Sequence, residues 1–196
     1  MTEEGTERDA ERDASGAWVS TVRVSNELVR SNAVLLIQGW AARLAEVVER
    51  HVLADATVAM RQMDHIVVTA DGADARNLEM EHFVEVVDYD PVRHVAMVIG
   101  TRDAPRTIPL IWLMLRIFPG AEGVVALPHL ERGEVVFLRS AVRGSFDEAF
   151  AVGEHMSGSG RVGILGPAAA SFERVGTLLV VEPGGEPAAV LKLLGD

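Results

Sequence analysis

The chain has 196 residues and no cysteine, which excludes disulfides, thiolate metal sites and a cysteine nucleophile while leaving histidine and carboxylate chemistry open. Its only lysine is Lys192, in what reads as a C-terminal helix, so Schiff-base catalysis would depend on one poorly placed amine. Basic charge is scarce too. A formal net charge of -11 gives no Lys/Arg cluster for sequence-independent binding to phosphate backbones, so nucleic acid is not an expected partner. No apolar run approaches the roughly 20 residues of a bilayer span, and no membrane association is expected. The opening MTEEGTERDAERDASG lacks the positive flank and apolar centre of a signal peptide, so the expected location is cytoplasmic. There is no internal repeat.

The apolar fraction is 48%, enough for one domain with a sizeable core. Residues 1–16 carry charge but no bulky apolar group beyond the initiating Met, and read as a disordered acidic tail ahead of a single domain over 17–196. From Ser25 to about His51, apolar residues recur at helical spacing, as one helix or two joined near Ser31, with Ser25 or Asn26 as the cap. ATVAM (56–60) and HIVVTA (65–70) predict a hairpin about a short polar turn. Ala70-Asp71-Gly72-Ala73 predicts a tight turn, in which Gly72 supplies a positive φ. A short helix over 78–82 follows, then strands over 83–89 and 94–100 and a polar loop to Arg106. Thr107 to Phe118 has a 3.6-residue apolar period and predicts a buried helix, stopped by Pro119-Gly120. GVVAL (123–127) predicts a central strand running into Pro128-His129. Strands over 135–140, 162–165 and 176–182, a helix over 145–156 and a terminal helix over 187–194 complete a mixed α/β chain.

The stretch Thr57-Val58-Ala59-Met60-Arg61, HIVVTADG, Leu78 and MEHFVEVV resembles the N-terminal half of the class II aldolase and adducin family. That family has a strand ending in Gly-Asn-x-Ser-x-Arg, then a strand leading into Thr-Pro-Ser-Gly, a Leu-Thr-x-Glu-Asp helix start and a Val-Glu-Val strand. The likeness continues through the helix ending at Pro119 into GVVAL, where the family has Val-Val-His-x-His. It implies a three-layer α/β fold with a central mixed or antiparallel sheet flanked by helices, and a homo-oligomer, commonly a tetramer. Arg61, Thr69, Gly72 and Leu78 match the motifs, while Thr57, Ala59 and Asp71 replace Asn, Ser and Ser. The resemblance also implies a divalent metal held by histidines that polarises a ketose phosphate. Here the two positions of the His-x-His pair read Ala126 and Pro128, the position of the catalytic Glu reads Thr107, and ILGPAAAS, where the family has Asn-His-Gly, contains no histidine.

The six histidines are His51, His65, His82, His94, His129 and His155, with no pair at i, i+2 or i, i+4 spacing, so neither a metal site nor a cofactor is expected. His129 ends the presumed central strand one residue past the replaced pair and is the candidate acid or base. Thr69, Asp71 and Gly72 stand at the turn that in the family helps hold the substrate phosphate. A carboxylate at Asp71 would repel a phosphate, so either it points outward or the ligand is a different one. Arg61, Arg106 and Arg116 are candidates to hold a carboxylate bidentately. The carboxylates Glu79, Glu81 and Glu85 read as a solvated helix face. Together these residues predict a divergent protein acting without a metal on a small polar organic molecule, as a lyase, isomerase or cyclase. His129 would be the acid or base, and Arg61, Thr69, Asp71, Gly72, Arg106 and Thr107 the ligand-binding set. The competing expectation is a catalytically inactive pseudoenzyme serving as a binding or assembly subunit, favoured by the apolar residues at the former polar positions.

Overall fold

The structure, a computed structural model, describes residues 19–128, 130, 134–136, 162–165 and 176–193. The expected tail over 1–16, the helix over 145–156 and His129 lie outside the described residues.

The first described element is a strand, β1 (Ser20–Ser25), where no element was expected. Helix α1 (Asn32–Leu44) follows, then the short α2 (Arg50–Ala54), so the long apolar-periodic stretch is two helices and the first begins seven residues later than the sequence suggests. Ser31, rather than Ser25 or Asn26, stands at the N-cap, where its carbonyl accepts the Val34 N–H at 3.2 Å. Ser25 closes β1 instead, its carbonyl accepting from Gly100 N–H at 2.9 Å.

Strands β2 (Thr57–Gln62) and β3 (His65–Thr69) form the expected hairpin. A single 3₁₀ turn, Met80–His82, leads into β4 (Phe83–Asp90), which pairs antiparallel with β5 (Val95–Ile99). Of the three carboxylates, Glu81 pairs with Arg102 and Glu85 lies within β4, its Oε1 2.6 Å from His65 Nδ1. Glu79 caps the 3₁₀ turn, so the trio does not form one helix face. Helix α3 (Ile108–Ile117) carries Pro109 in its first turn, where the missing N–H costs no hydrogen bond. The chain then forms β6 (Gly123–Pro128), β7 (Glu134–Val136), β8 (Val162–Leu165), β9 (Gly176–Val181) and helix α4 (Pro187–Leu193).

All nine strands join one sheet in the order β1-β5-β4-β3-β2-β6-β9-β8-β7. The β1–β5 and β7–β8 pairs are parallel and the others antiparallel, which makes the sheet mixed. Side chains alternate across the strands and build two cores. On one face Ala59, Val68, Val84, Val98 and Val124 pack under Ile108, Ile111 and Met114 of α3. On the other, Val58, Val67, Val125 and Leu179 pack under Val34, Ile37, Trp40 and Leu44 of α1, with Leu53 of α2 and Leu191 of α4. The result is three layers, helix, sheet and helices.

Two irregularities fit the sheet to its helices. The register of β4 slips between Val86 and Asp88, so one extra residue turns Tyr89 toward α3. There Tyr89 meets Trp112 edge-on, with ring centroids 5.7 Å apart, and its hydroxyl hydrogen-bonds His94 Nδ1 at 3.0 Å. Burial, with the charge of Asp90 second, pushes the Tyr89 phenol up to about 12. At the start of β6, Gly123 leaves the space that Trp40 of α1 occupies. A Cβ there would stand 2.4 Å from the Ala59 carbonyl oxygen and 2.8 Å from the indole.

Candidate functional site

The sequence candidates divide between the two ends of β2. At its start, Thr57 lies opposite Ala126 of β6, and its Oγ1 accepts a hydrogen bond from Thr107 Oγ1 at 3.0 Å. Thr107 stands at the N-cap of α3 but does not cap it through its side chain, because the hydroxyl is turned to the strand. Pro128, two residues beyond Ala126 and therefore on the same face of β6, pairs with Gly176 of β9. Thr107, Thr57, Ala126 and Pro128 thus share the α3 side of one end of the sheet. These include the three positions where the family resemblance expects an acid and a histidine pair.

Thr69 closes β3 at the same end. It is 1% exposed, and its Oγ1 accepts the Val58 N–H at 3.1 Å, so this hydroxyl serves the sheet backbone. The chain then turns as expected. Ala73 N–H donates to the Ala70 carbonyl at 3.1 Å, and Gly72 takes φ +66°, a conformation that favours glycine. Asp71 N–H donates to the Asp103 carbonyl at 3.0 Å and ties this turn to the loop that delivers Arg106 and Thr107. That loop is fixed in turn by the Arg23–Asp103 ion pair and by the Ala104 N–H, which donates to Thr21 Oγ1 at 3.0 Å.

The electrostatics of the turn follow from this arrangement. Partial desolvation raises the Asp71 carboxyl above its ordinary value of 3.8, the exposed Arg106 guanidinium opposes the shift, and the Asp103 carboxylate adds to it. Asp71 and Gly72 therefore lie beside the loop that carries Arg106 and Thr107, with the Arg106 cation near a carboxyl that holds its proton more firmly than usual and the Thr107 hydroxyl turned away to Thr57.

Arg61 is not among them. It sits four residues along β2, roughly 13 Å from Thr57 at strand spacing. Its Nε donates to the Ala121 carbonyl at 3.2 Å, and its Nη2 donates to the carbonyls of Leu115 and Phe118. The guanidinium satisfies carbonyls that the end of α3 leaves without helical partners. The Arg61 guanidinium is thus engaged with backbone carbonyls at and just beyond the end of α3. Arg116 stacks on Trp112, 4.0 Å from the ring centroid, and is likewise apart from the group. Thr57, Asp103 and the buried Thr177, whose Oγ1 donates to the Leu130 carbonyl at 2.7 Å, are polar residues of this end that were not singled out as site residues. The readable signal for Thr57 and Thr177 was a hydroxyl on the first residues of an otherwise apolar strand.

The described residues at this end of the sheet do not supply side-chain ligands for the divalent metal of the resembled family. Ala126 and Pro128 offer no donor atom, and the Thr57 and Thr107 hydroxyls bond one another. Among the described residues no three His, Asp or Glu side chains lie together in a way that could hold a metal ion. No helix among them is long and apolar enough to cross a membrane.

No protein-family model matches the sequence, and no curated protein is significantly similar to it. Solved structures are similar in fold. YgbL of Escherichia coli, an aldolase/epimerase/decarboxylase candidate, superposes with a TM-score of 0.59 at 13% identity, over 84% of this chain and 86% of that one. YgbL of Klebsiella pneumoniae gives 0.56 at 12% identity, over 81% of each chain. The L-fuculose-1-phosphate aldolase of Thermus thermophilus gives 0.52 at 15% identity, over 84% and 88%. The three-layer sheet, its helices and these likenesses agree with the motif spacing of residues 57–128, and the chain has the class II aldolase-like fold.

Proposed function

We propose that this protein is a divergent class II aldolase-like enzyme that acts, without a metal, on a small polar organic molecule carrying an anionic group, as a lyase, isomerase or cyclase. The observation that carries the reading is the tie between the Asp71 turn and the loop that bears Arg106 and Thr107, at the sheet end where Thr57 pairs with Ala126. Arg106 is the residue to hold the anionic group, since its planar fork matches a carboxylate. Asp71 sets the pH response: a protonated carboxyl does not repel an anion, so affinity is expected to rise as pH falls through its elevated pKa. His129, next along the chain from Pro128, is the proposed acid or base.

The test is a thermal-shift panel of carboxylates and phosphosugars, followed by calorimetry on any hit. The reading expects a ligand whose binding is lost in Arg106→Ala and whose conversion is lost in His129→Ala. Stoichiometric zinc in protein purified without chelators would overturn the metal-free element. A second reading, a catalytically inactive binding or assembly subunit, is favoured by one observation: the Thr57, Thr69 and Thr107 hydroxyls already bond within the protein. A ligand that raises the melting temperature but stays unconverted, as followed by proton NMR, would select that reading.

A further inference from the structure

A phosphate dianion is held by several converging N–H and O–H donors, in a field that offsets its charge. The Asp71 turn spends its donors elsewhere. The N–H of Ala70 donates to the His82 carbonyl at 2.8 Å, that of Asp71 to the Asp103 carbonyl at 3.0 Å and that of Ala73 to the Ala70 carbonyl at 3.1 Å. The Thr69 hydroxyl is buried on the Val58 N–H, and the Thr107 hydroxyl is turned to Thr57. Charge is matched in the same way. Arg23 pairs with Asp103, and Arg102 pairs with Glu81 at 3.0 Å, so these cations beside the turn meet carboxylates before any ligand arrives. The exposed Arg106 acts on the Asp71 carboxyl, and so does the Asp103 carboxylate, with opposite sign.

We propose that this site takes a monocarboxylate and discriminates against phosphate-bearing molecules, with Asp71 as the residue that sets the preference. The inference rests on the reading of Arg106 as the group that holds the anion, and it names the class of that anion. One guanidinium satisfies a carboxylate through two parallel N–H bonds, without help from the turn. The single charge of a carboxylate is one that Arg106 can offset, and a proton taken up by Asp71 completes the neutrality. Such uptake suits a carboxyl that partial desolvation already raises above its ordinary value, Arg106 opposing the shift and Asp103 adding to it. A phosphate dianion in the same place brings one charge more against Asp71 and finds the N–H groups of Ala70, Asp71 and Ala73 committed. The repulsion falls mainly on Asp71, because Asp103 is matched by Arg23. Asp71 thus filters ligands by their charge, and removing its own charge opens the site to phosphate.

The test reads Arg106 itself in the full chain. Its exposed guanidinium is modified with phenylglyoxal at pH 8, where phosphate is a dianion, and the rate is followed by peptide mass spectrometry with glycolate or inorganic phosphate present at matched ionic strength. Glycolate is expected to protect Arg106 at a concentration at least about fivefold lower than phosphate does, the effect of one unit charge near a partly solvated carboxylate. In Asp71→Asn, and in the smaller Asp71→Ser, phosphate should protect at least about fivefold better than in the parent, while glycolate changes less. Circular dichroism verifies that both variants are folded. Equal protection of the parent by the two anions, or folded variants that keep the parent's preference, overturns the proposal. If neither anion protects Arg106 in the parent or in the variants, Arg106 does not hold the anion, and the reading beneath the proposal fails together with it.

Discussion

The two ends of β2 hold the two ends of α3 by opposite means. At the start of the strand, Thr57 meets Thr107 through one pair of neutral hydroxyls. Four residues on, Arg61 donates to the carbonyls of Leu115, Phe118 and Ala121. The strand segment spans roughly 13 Å and the helix from Thr107 to Leu115 about 12 Å, so strand and helix run side by side with matched lengths. The Arg61 end is tight, charged and closed, and next to it Gly123 has no room for even a methyl group. The Thr57 end is lightly held and carries the candidate site. Side chains at the first end are committed to folding, and those at the second can change with little cost to the frame. Thr107, Ala126 and Pro128, where the resemblance expects an acid and a histidine pair, all lie at that second end.

The largest expected effect that probes this contrast is at Gly123. Gly123→Ala puts a methyl group against the Ala59 carbonyl and the Trp40 ring, and should destabilise by about 3 kcal/mol in urea unfolding, whereas Ala126→Ser at the other end of the same strand should cost far less. Equal losses would remove the distinction. Next comes Arg61→Ala, which removes a half-buried guanidinium from the carbonyls of Leu115, Phe118 and Ala121, of which Phe118 keeps the Ala121 N–H. A loss of about 2 to 3 kcal/mol is expected, with little recovery in Arg61→Lys because an ammonium cannot reach several divergent carbonyls at once. Full recovery by lysine would show that charge alone matters.

A smaller effect belongs to the hydroxyl pair. Thr57→Val and Thr107→Val should each cost about 1 kcal/mol, and the double-mutant cycle should return a coupling of about 0.5 to 1 kcal/mol; strict additivity would mean that the bond contributes nothing. The smallest effect is at Asp71. Its carboxyl is raised in the folded state, so it favours folding below its ordinary value of 3.8, and that contribution is lost as pH rises through the elevated value. Asp71→Asn should therefore melt slightly higher than the parent at pH 7, by no more than about 0.5 kcal/mol for an exposed position, with the difference fading toward pH 4. A difference that grows on acidification would reverse the assignment.

The contrast also explains what could be read in advance. Strands β2 to β6 and helix α3 are strongly patterned, and their sequence neighbours are mostly their spatial neighbours, so periodicity and turn residues predict them well. The Gly72 turn was legible because a positive φ has a residue signature. β1 was not, because STVRVS leaves Val22 and Val24 half exposed and its partner lies far along the chain. The start of α1 was misplaced because Leu28 and Val29, which precede the helix, continue its apolar spacing. In the site, the motif spacing did not show that the Arg61 guanidinium turns to the backbone carbonyls at the end of α3. A motif match says where an arginine stands along the strand, and only the path of the following helix says which carbonyls it meets.

The pairing of β1 with β5 bears on the order in which the sheet is assembled. Ser20 pairs with Val95, about 75 residues later, so β1 can dock only after the β2–β5 meander exists to receive it, and the entropy of closing that loop is offset late. As a hypothesis, β1 is then the last strand on and the first off. Native-state hydrogen exchange should find its amides opening at lower free energy than those of β3 and β4, and equal protection along the sheet would refute it. The Arg23–Asp103 pair makes this more than a matter of folding history. When β1 lifts, the loop that carries Arg106 loses two of its tethers, so the candidate site is only as durable as the least anchored strand of the sheet.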